Sequence, residues 1–271
     1  MKTVVITGST RGIGYGLAEA FLQAGCSVVV NGRSVHNVQR ATQDLTSRFP
    51  PQHILGISGD VTDVVQVQTL WDTAVAHFGS IDIWINNAGL ENNPALLWEV
   101  PPDTLQAVID TNVTGVMYCC QVAIRGMIAQ HKGQIYNMAG MGSEGRLPPN
   151  LTPYGTSKYA LTFLTKALVK ETQHLPLQIG TINPGMVITD MLIANIPPER
   201  ENQAKRFFNI MADRVETVAP WLADQMLANQ KSGAHIAWLT TPKMITRVLL
   251  APFRKRDLFS SELTTNTANN K

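Results

Sequence analysis

The chain predicts a single α/β domain, one doubly wound parallel sheet with helices on both faces and a helical C-terminal extension. Three observations carry this. Short apolar runs alternate with helical periodicities from the first residues, the first run leads through a glycine-rich turn into a helix, and residues 81–85 form a strand-length run that is apolar except for Asp82. A strand covered on both faces has that last composition. Repeated strand–helix units imply a parallel sheet, because each crossover is right-handed and packs back on the same sheet. No internal repeat and no linker interrupts residues 1–271, so one domain is expected.

Residues 3–7 predict the first strand, followed by Gly8-Ser9-Thr10-Arg11-Gly12-Ile13-Gly14. Leu17, Ala20, Phe21 and Ala24 then recur at helical spacing, with Gly25 as a stop. Residues 27–31 predict a second strand, and Val35, Val38 and Leu45 mark a helix ended by Pro50-Pro51. Ile54–Ser58 is the third strand; Val64, Val67, Leu70, Trp71, Ala74 and Phe78 mark the next helix, and 81–85 the fourth strand. A long helix is expected over about 103–130, a fifth strand over Gln134–Met138, a helix carrying Tyr154 to about residue 174, and a sixth strand over 177–182. From about residue 188 the alternation breaks down. Residues 193–229 read as irregular helix, 188–259 as a substrate-side helical region, and 260–271 as a polar, disordered tail.

Composition excludes several classes. With 44% hydrophobic and 15% charged residues the chain reads as an ordinary soluble enzyme, and a net charge of +2 argues against nucleic acid as a partner. Cys26, Cys119 and Cys120 sit in apolar runs without metal-ligand spacing, so no metal is expected and they read as core residues of a reducing compartment. No signal-peptide pattern opens the chain, and no stretch approaches the roughly 18 apolar residues of a spanning helix. The expected location is cytoplasmic or peripheral to a membrane.

The first turn points to a dinucleotide. Gly8, Ser9, Thr10, Arg11, Gly12, Ile13 and Gly14 lie between a strand and a helix, where glycines let the backbone approach a pyrophosphate and the helix end supplies N–H groups. A carboxylate at the end of the second strand would select the ribose 2′-hydroxyl of NAD; here the chain reads Asn31-Gly32-Arg33. Arg33 and Arg11 are placed to meet a 2′-phosphate, so NADPH is expected. Asp60 and Val61 after the third strand, Asn87, Ala88 and Gly89 after the fourth, and Pro184, Gly185, Val187 and Thr189 after the sixth converge on the same crevice, since such sheets bind ligands at their carboxyl ends. Tyr154 and Lys158, four apart on a helix, share a face about 6 Å apart. An ammonium beside a phenol, whose ordinary pKa is roughly 10, favours the phenolate and gives a usable acid or base.

With these residues assembled, the chain resembles the short-chain dehydrogenase/reductase superfamily over residues 1–189. The motifs are Thr7 to Gly14, Asn86-Asn87-Ala88-Gly89, Asn112, Tyr154-x-x-x-Lys158 and Pro184-Gly185, in the expected order. The resemblance implies a Rossmann-type fold. It implies that Tyr154 protonates a carbonyl oxygen, that Lys158 lowers the tyrosine pKa and binds the cofactor ribose, and that Asn112 holds a relay water. One position departs: after the fifth strand the family usually carries a catalytic serine, where this chain has Gly140 in Asn137-Met138-Ala139-Gly140. Ser143, eleven residues before Tyr154, substitutes if the loop folds back; otherwise backbone N–H groups polarise the carbonyl. Gly140 is expected to leave room for a wide substrate.

The departure narrows the resemblance. The run from Asn137 to Arg146, the run from Pro184 to Leu192, Ala204-Lys205-Arg206-Phe207-Phe208-Asn209-Ile210 and the basic, apolar end at 236–259 are similar to chlorophyll b reductases. That similarity implies NADPH-dependent reduction of the 7-formyl group of chlorophyll b or chlorophyllide b, a hydrophobic tetrapyrrole substrate. Another hydrophobic aldehyde or ketone is the alternative, and a non-catalytic NADPH-binding regulatory protein a second. Residues 243–259 read as a packed helix, a lip over the cleft, or a peripheral membrane contact. The helices at 103–130 and 153–174 resemble those through which the superfamily pairs, so a homodimer or homotetramer is expected.

Overall fold

Apolar strand residues bury when both faces of a sheet are covered, and the alternation of side chains splits them between two cores. In the computed structural model the strands are β1 (Thr3–Ile6), β2 (Ser27–Gly32), β3 (Ile54–Ser58), β4 (Ile83–Asn86), β5 (Gln134–Met138), β6 (Gln178–Asn183), β7 (Val187–Ile188), β8 (Asp213–Arg214) and β9 (His235–Ala237). Seven form one sheet in the order β3-β2-β1-β4-β5-β6-β9, every pair parallel, and β7 and β8 pair separately. The structure describes residues 1–145, 147, 149–194, 196, 201–253 and 256–259; the tail expected over 260–271 lies outside them, as do Arg146, Arg254 and Lys255.

The helices are α1 (Gly12–Gln23), α2 (Val35–Thr46), α3 (Val64–Phe78), α4 (Pro102–Ile109), α5 (Gly115–Gln130), α6 (Thr152–Glu171), α7 (Asp190–Ala194), α8 (Glu201–Met211), α9 (Val215–Ala228) and α10 (Thr241–Leu250). Val4, Ile6, Val28, Val30, Ile83 and Ile85 face α1, α2 and α9, where Phe21, Leu45 and Leu222 meet them. Val5, Val29, Trp84, Ile135 and Ile179 face α3, α5 and α6, meeting Trp71, Cys120, Met127 and Leu161. The chain steps outward from β1 to β3 and returns beside β1 as β4. Loops leaving β1 and β4 therefore diverge, and a crevice opens at the carboxyl edge between them.

Two expectations are corrected. The alternation does not end near residue 188: α9 packs on α1, with Val215 and Ala219 lying where any side chain at Gly16 would go, and leads to a seventh strand, β9. The helix from Pro102 to Gln130, unbroken through a π-helical turn at Asp110–Thr114, is long and apolar enough to cross a membrane. Its apolar content goes to the protein core instead, with Val116, Cys119, Cys120, Val122, Ala123 and Met127 buried. All three cysteines are buried free thiols, as their apolar settings predict.

Candidate active site

The phosphate end of the crevice is built from backbone and small polar groups. Gly8 and Gly12 take left-handed backbone (φ +62° and +59°), and a Cβ on Gly14 would lie 2.4 Å from Asn87 Nδ2 and 2.7 Å from the Gly8 carbonyl. Only glycine permits this cradle. Thr7 Oγ1 accepts from the N–H groups of Asn87 and Ala88, both at 3.1 Å, tying the β1 and β4 loops. Arg11 precedes α1 without a side-chain cap, so the first N–H groups of the helix stand at the crevice. Arg11 and Arg33 are exposed on its wall, and no acid stands at the end of β2. This donor set fits an anionic dinucleotide.

Asn31 was not singled out by sequence, although a polar residue ending Val28-Val29-Val30 was the available signal. It is buried, with Oδ1 accepting from Gly8 N–H (3.4 Å) and Nδ2 donating to the carbonyls of Ile57 (3.1 Å) and Gly59 (3.2 Å). It thus joins the loops after β1, β2 and β3. Ser9 is buried beneath the loop rather than on its surface: its hydroxyl donates to the Ile6 carbonyl (2.7 Å) and accepts from Asn31 N–H (3.0 Å). Asp60 Oδ1 accepts from Thr62 N–H and Oγ1, both at 2.9 Å, which fixes its carboxylate beside Val61 on the crevice wall.

At the other end α6 presents Tyr154 and Lys158 one turn apart. Lys158 is buried, and its Nζ donates to the Met138 carbonyl at 3.1 Å and stands 5.7 Å from the Tyr154 ring centroid. Burial pushes the Lys158 ammonium down to about 8, with the nearby Glu91 carboxylate partly opposing. Burial raises the Tyr154 phenol above its ordinary value, and Glu91 adds to the rise. The net direction is opposite to the lowering expected from Lys158, with desolvation of the phenolate as the leading cause. Glu91 and Asn92 had no sequence signal. Asn92 Oδ1 accepts from Tyr154 N–H at 3.3 Å and so anchors the first turn of α6.

The neighbouring turn explains Gly140. A Cβ there would lie 2.5 Å from Tyr154 Oη and 3.3 Å from Lys158 Cε, so the space it leaves is occupied by the tyrosine itself, not held open for substrate as expected. Ser143 does not line the crevice, though Gly142 and Glu144 do. Its buried hydroxyl accepts from Gly140 N–H (3.0 Å) and donates to the Lys158 carbonyl (3.3 Å), closing the turn. Asn112, fully buried in the π-helical turn, accepts from Leu90 N–H (2.7 Å) and donates to the Leu90 carbonyl (2.8 Å) and Ser157 Oγ (2.9 Å). Its side chain holds the β4 loop against α6.

One continuous cleft of about 760 Å³ joins these ends. Gly8, Thr10, Arg11, Gly12, Ile13, Gly14, Arg33, Asp60, Val61, Asn87, Ala88, Gly89, Tyr154, Lys158, Pro184, Gly185, Val187 and Thr189 all line it; Ser9, Asn112 and Ser143 support it from behind. Around Tyr154 the cleft also gathers apolar side chains. Six of the ten methionines line the cleft (Met138, Met141, Met186, Met191, Met211 and Met244), with Leu147, Phe207 and Leu239. Thioether side chains conform to irregular flat surfaces, so this end suits a large apolar ligand. The methionine content was legible in the composition; its gathering was not. Among the described residues no three His, Cys, Asp or Glu side chains form a metal-binding group.

The short chain dehydrogenase family model matches residues 2–200. The chloroplastic chlorophyll(ide) b reductase NOL of Oryza sativa subsp. japonica is 40% identical over 254 residues, covering 90% of this chain and 73% of that protein. The corresponding NOL protein of Arabidopsis thaliana is 38% identical over 254 residues, covering 90% and 72%. A crystal structure of a gluconate 5-dehydrogenase from Burkholderia cenocepacia, in complex with NADP and tartrate, aligns with a TM-score of 0.74 at 27% identity, covering 87% of this chain and 93% of that one.

Proposed function

Because the chain belongs to the short-chain dehydrogenase family, and is thus an oxidoreductase, we propose that it is an NADPH-dependent carbonyl reductase acting on the 7-formyl group of chlorophyll b or chlorophyllide b. The product is the 7-hydroxymethyl form. The observation that carries the substrate is the methionine-lined cleft beside Tyr154, together with 40% identity to a chlorophyll(ide) b reductase. The NADP in the gluconate 5-dehydrogenase relative and the paired Arg11 and Arg33 support NADPH.

The reduced nicotinamide, when bound, supplies a hydride for the carbonyl carbon. Tyr154 gives its proton to the carbonyl oxygen and is left as phenolate beside Lys158, whose ammonium stabilises that charge. The Met138 carbonyl fixes the Lys158 head. Ser143 is a positioning residue, because its hydroxyl is held within the turn that seats Tyr154. Polarising the carbonyl falls to the phenol and to backbone N–H groups of the turn after β5. Asn112 acts through the Leu90 peptide and Ser157 rather than by offering its amide to a water.

The protein is expected to pair with a second copy through the outer faces of α5 and α6, where Met117 (46%), Tyr159 (58%) and Phe163 (76%) are exposed. The relatives are named chloroplastic, which favours a photosynthetic compartment. Purified protein, NADPH and chlorophyllide b test the reading. The absorption spectrum should lose the formyl-conjugated band as NADPH is consumed. Turnover of other apolar aldehydes with none of chlorophyll b or chlorophyllide b would assign a different hydrophobic carbonyl substrate to the same cleft.

A further inference from the structure

Helix α10 is arranged inside out. Ile245, Val248 and Leu249, spaced i, i+3, i+4, face outward at 57%, 58% and 68% exposure, and Phe253, 84% exposed, follows them. Its cations face the protein. Arg247 donates to Asp213 Oδ2 at 2.6 Å and to the Met211 carbonyl at 2.7 Å, and Lys243 Nζ lies 3.1 Å from the Trp238 ring centroid. A helix on a water-facing surface normally shows the opposite pattern, and a contiguous apolar stripe of this kind marks an interaction face. The stripe is continuous with the cleft: Met244, one turn before Val248, lines it, as does the half-exposed Phe207 of α8.

Charge identifies what covers the stripe. Between α8 and α10 a cavity of about 360 Å³ is lined by Asn209, Lys243, Thr246, Arg247 and Arg256, and two of these three cations, Arg247 and Arg256, pair with the Asp213 carboxylate. Residues 240–259 hold five cationic side chains and one acid, a net +4 in a chain whose total is +2. A second copy seated here by two-fold symmetry would set these like-charged segments against each other. Residues 260–271 offer a single large apolar side chain, Leu263. An anionic bilayer surface matches both features, since its acyl boundary accepts the stripe and its negative surface potential attracts the net positive segment.

We propose that α10 seats the protein on an anionic lipid surface with the cleft mouth toward the bilayer, so that an apolar substrate passes from lipid to cleft without crossing water. The entry route rests on the proposed reading of the cleft; the docking does not. Co-sedimentation with phosphatidylcholine vesicles, with and without phosphatidylglycerol, is therefore run without substrate. The protein should bind the phosphatidylglycerol vesicles, bind neutral ones far less, and release as salt screens the charges. Ile245→Glu with Leu249→Glu should lower vesicle partitioning by about tenfold or more, and Phe253→Ser should lower it independently. Both variants should keep the melting temperature and NADPH-dependent turnover of a water-soluble aldehyde. No binding to phosphatidylglycerol vesicles, equal binding to neutral ones, or undiminished binding by both variants overturns the docking. Loss of an oligomer in the double variant, seen by light scattering with vesicle binding unchanged, assigns the stripe to a second copy instead. Failure to reduce any aldehyde would bear on the proposed function alone.

Discussion

Burial keeps the Tyr154 phenol protonated, so within the reactive pair the Lys158 ammonium is the group whose charge depends on ordinary pH. Its pKa is pushed down to about 8; the charge is present below that value and lost as pH rises through it. Carbonyl reduction, which leaves a phenolate needing that charge, should be fastest below pH about 8 and decline above it. A kcat profile flat across that range, at saturating cofactor, would contradict the role given to Lys158. Tyr154→Phe removes the proton donor and keeps the ring, so turnover should fall by about 10²–10⁴-fold with NADPH binding intact. Gly140→Ser is expected to displace the phenol, because even its Cβ would stand 2.5 Å from Tyr154 Oη. Reduction of small and bulky aldehydes should therefore fall together. Selective loss of the bulky substrate would show that Gly140 instead makes space for it.

At the scale of elements, two glycine effects compete within α5. Replacing Gly126 by Ala should favour a helix interior by about 1 kcal/mol. A Cβ there, however, would fall 1.9 Å from Trp71 Cζ2, and that indole is buried against Trp84 with ring centroids 5.9 Å apart. Overpacking a core typically costs about 1–3 kcal/mol, so Gly126→Ala should lower stability in a denaturant titration; a stabilised variant would mean that Trp71 has room to move. The same contrast between local and tertiary effects separates what was legible in the sequence. Strands β1 to β6 and the glycine loop could be read because a strand buried on both faces is an apolar run and the phosphate turn has its own residue types. His235-Ile236-Ala237 has neither mark, being a three-residue edge strand with partial exposure. Asn31, Glu91 and Asn92 could not be assigned, since their partners lie on loops brought together only by the sheet order.

Across the whole molecule, the two ends of the cleft are held by separate networks, and Asp213 holds the apolar one. It is buried and receives Trp238 Nε1–H (2.6 Å), Arg247 (2.6 Å) and Arg256 (2.7 Å), while its own N–H donates to the Met186 carbonyl (3.0 Å). Burial by itself would raise this carboxyl; the hydrogen bonds from Trp238, Arg247 and Arg256 outweigh it and hold the pKa below the usual carboxylate range. Through these bonds β8, α10 and the stretch around Arg256 are fastened beside the loop after β6. Met211, Leu239 and Met244, which form the far wall of the cleft, hang on them. Asp213→Asn keeps the shape but removes the carboxylate that pairs with both guanidinium groups. Breaking a buried ion pair costs about 3–5 kcal/mol, and the lower end applies because Arg256 is about one-third exposed (32%). The glycine loop, Thr7, Asn31 and Asn87 make no bond to this cluster. Asp213→Asn should therefore raise KM for a bulky aldehyde and lower the melting temperature, with the NADPH dissociation constant nearly unchanged. Fluorescence titration of the cofactor beside steady-state kinetics decides it: parallel loss of NADPH binding would show that the two ends of the cleft are one mechanical unit.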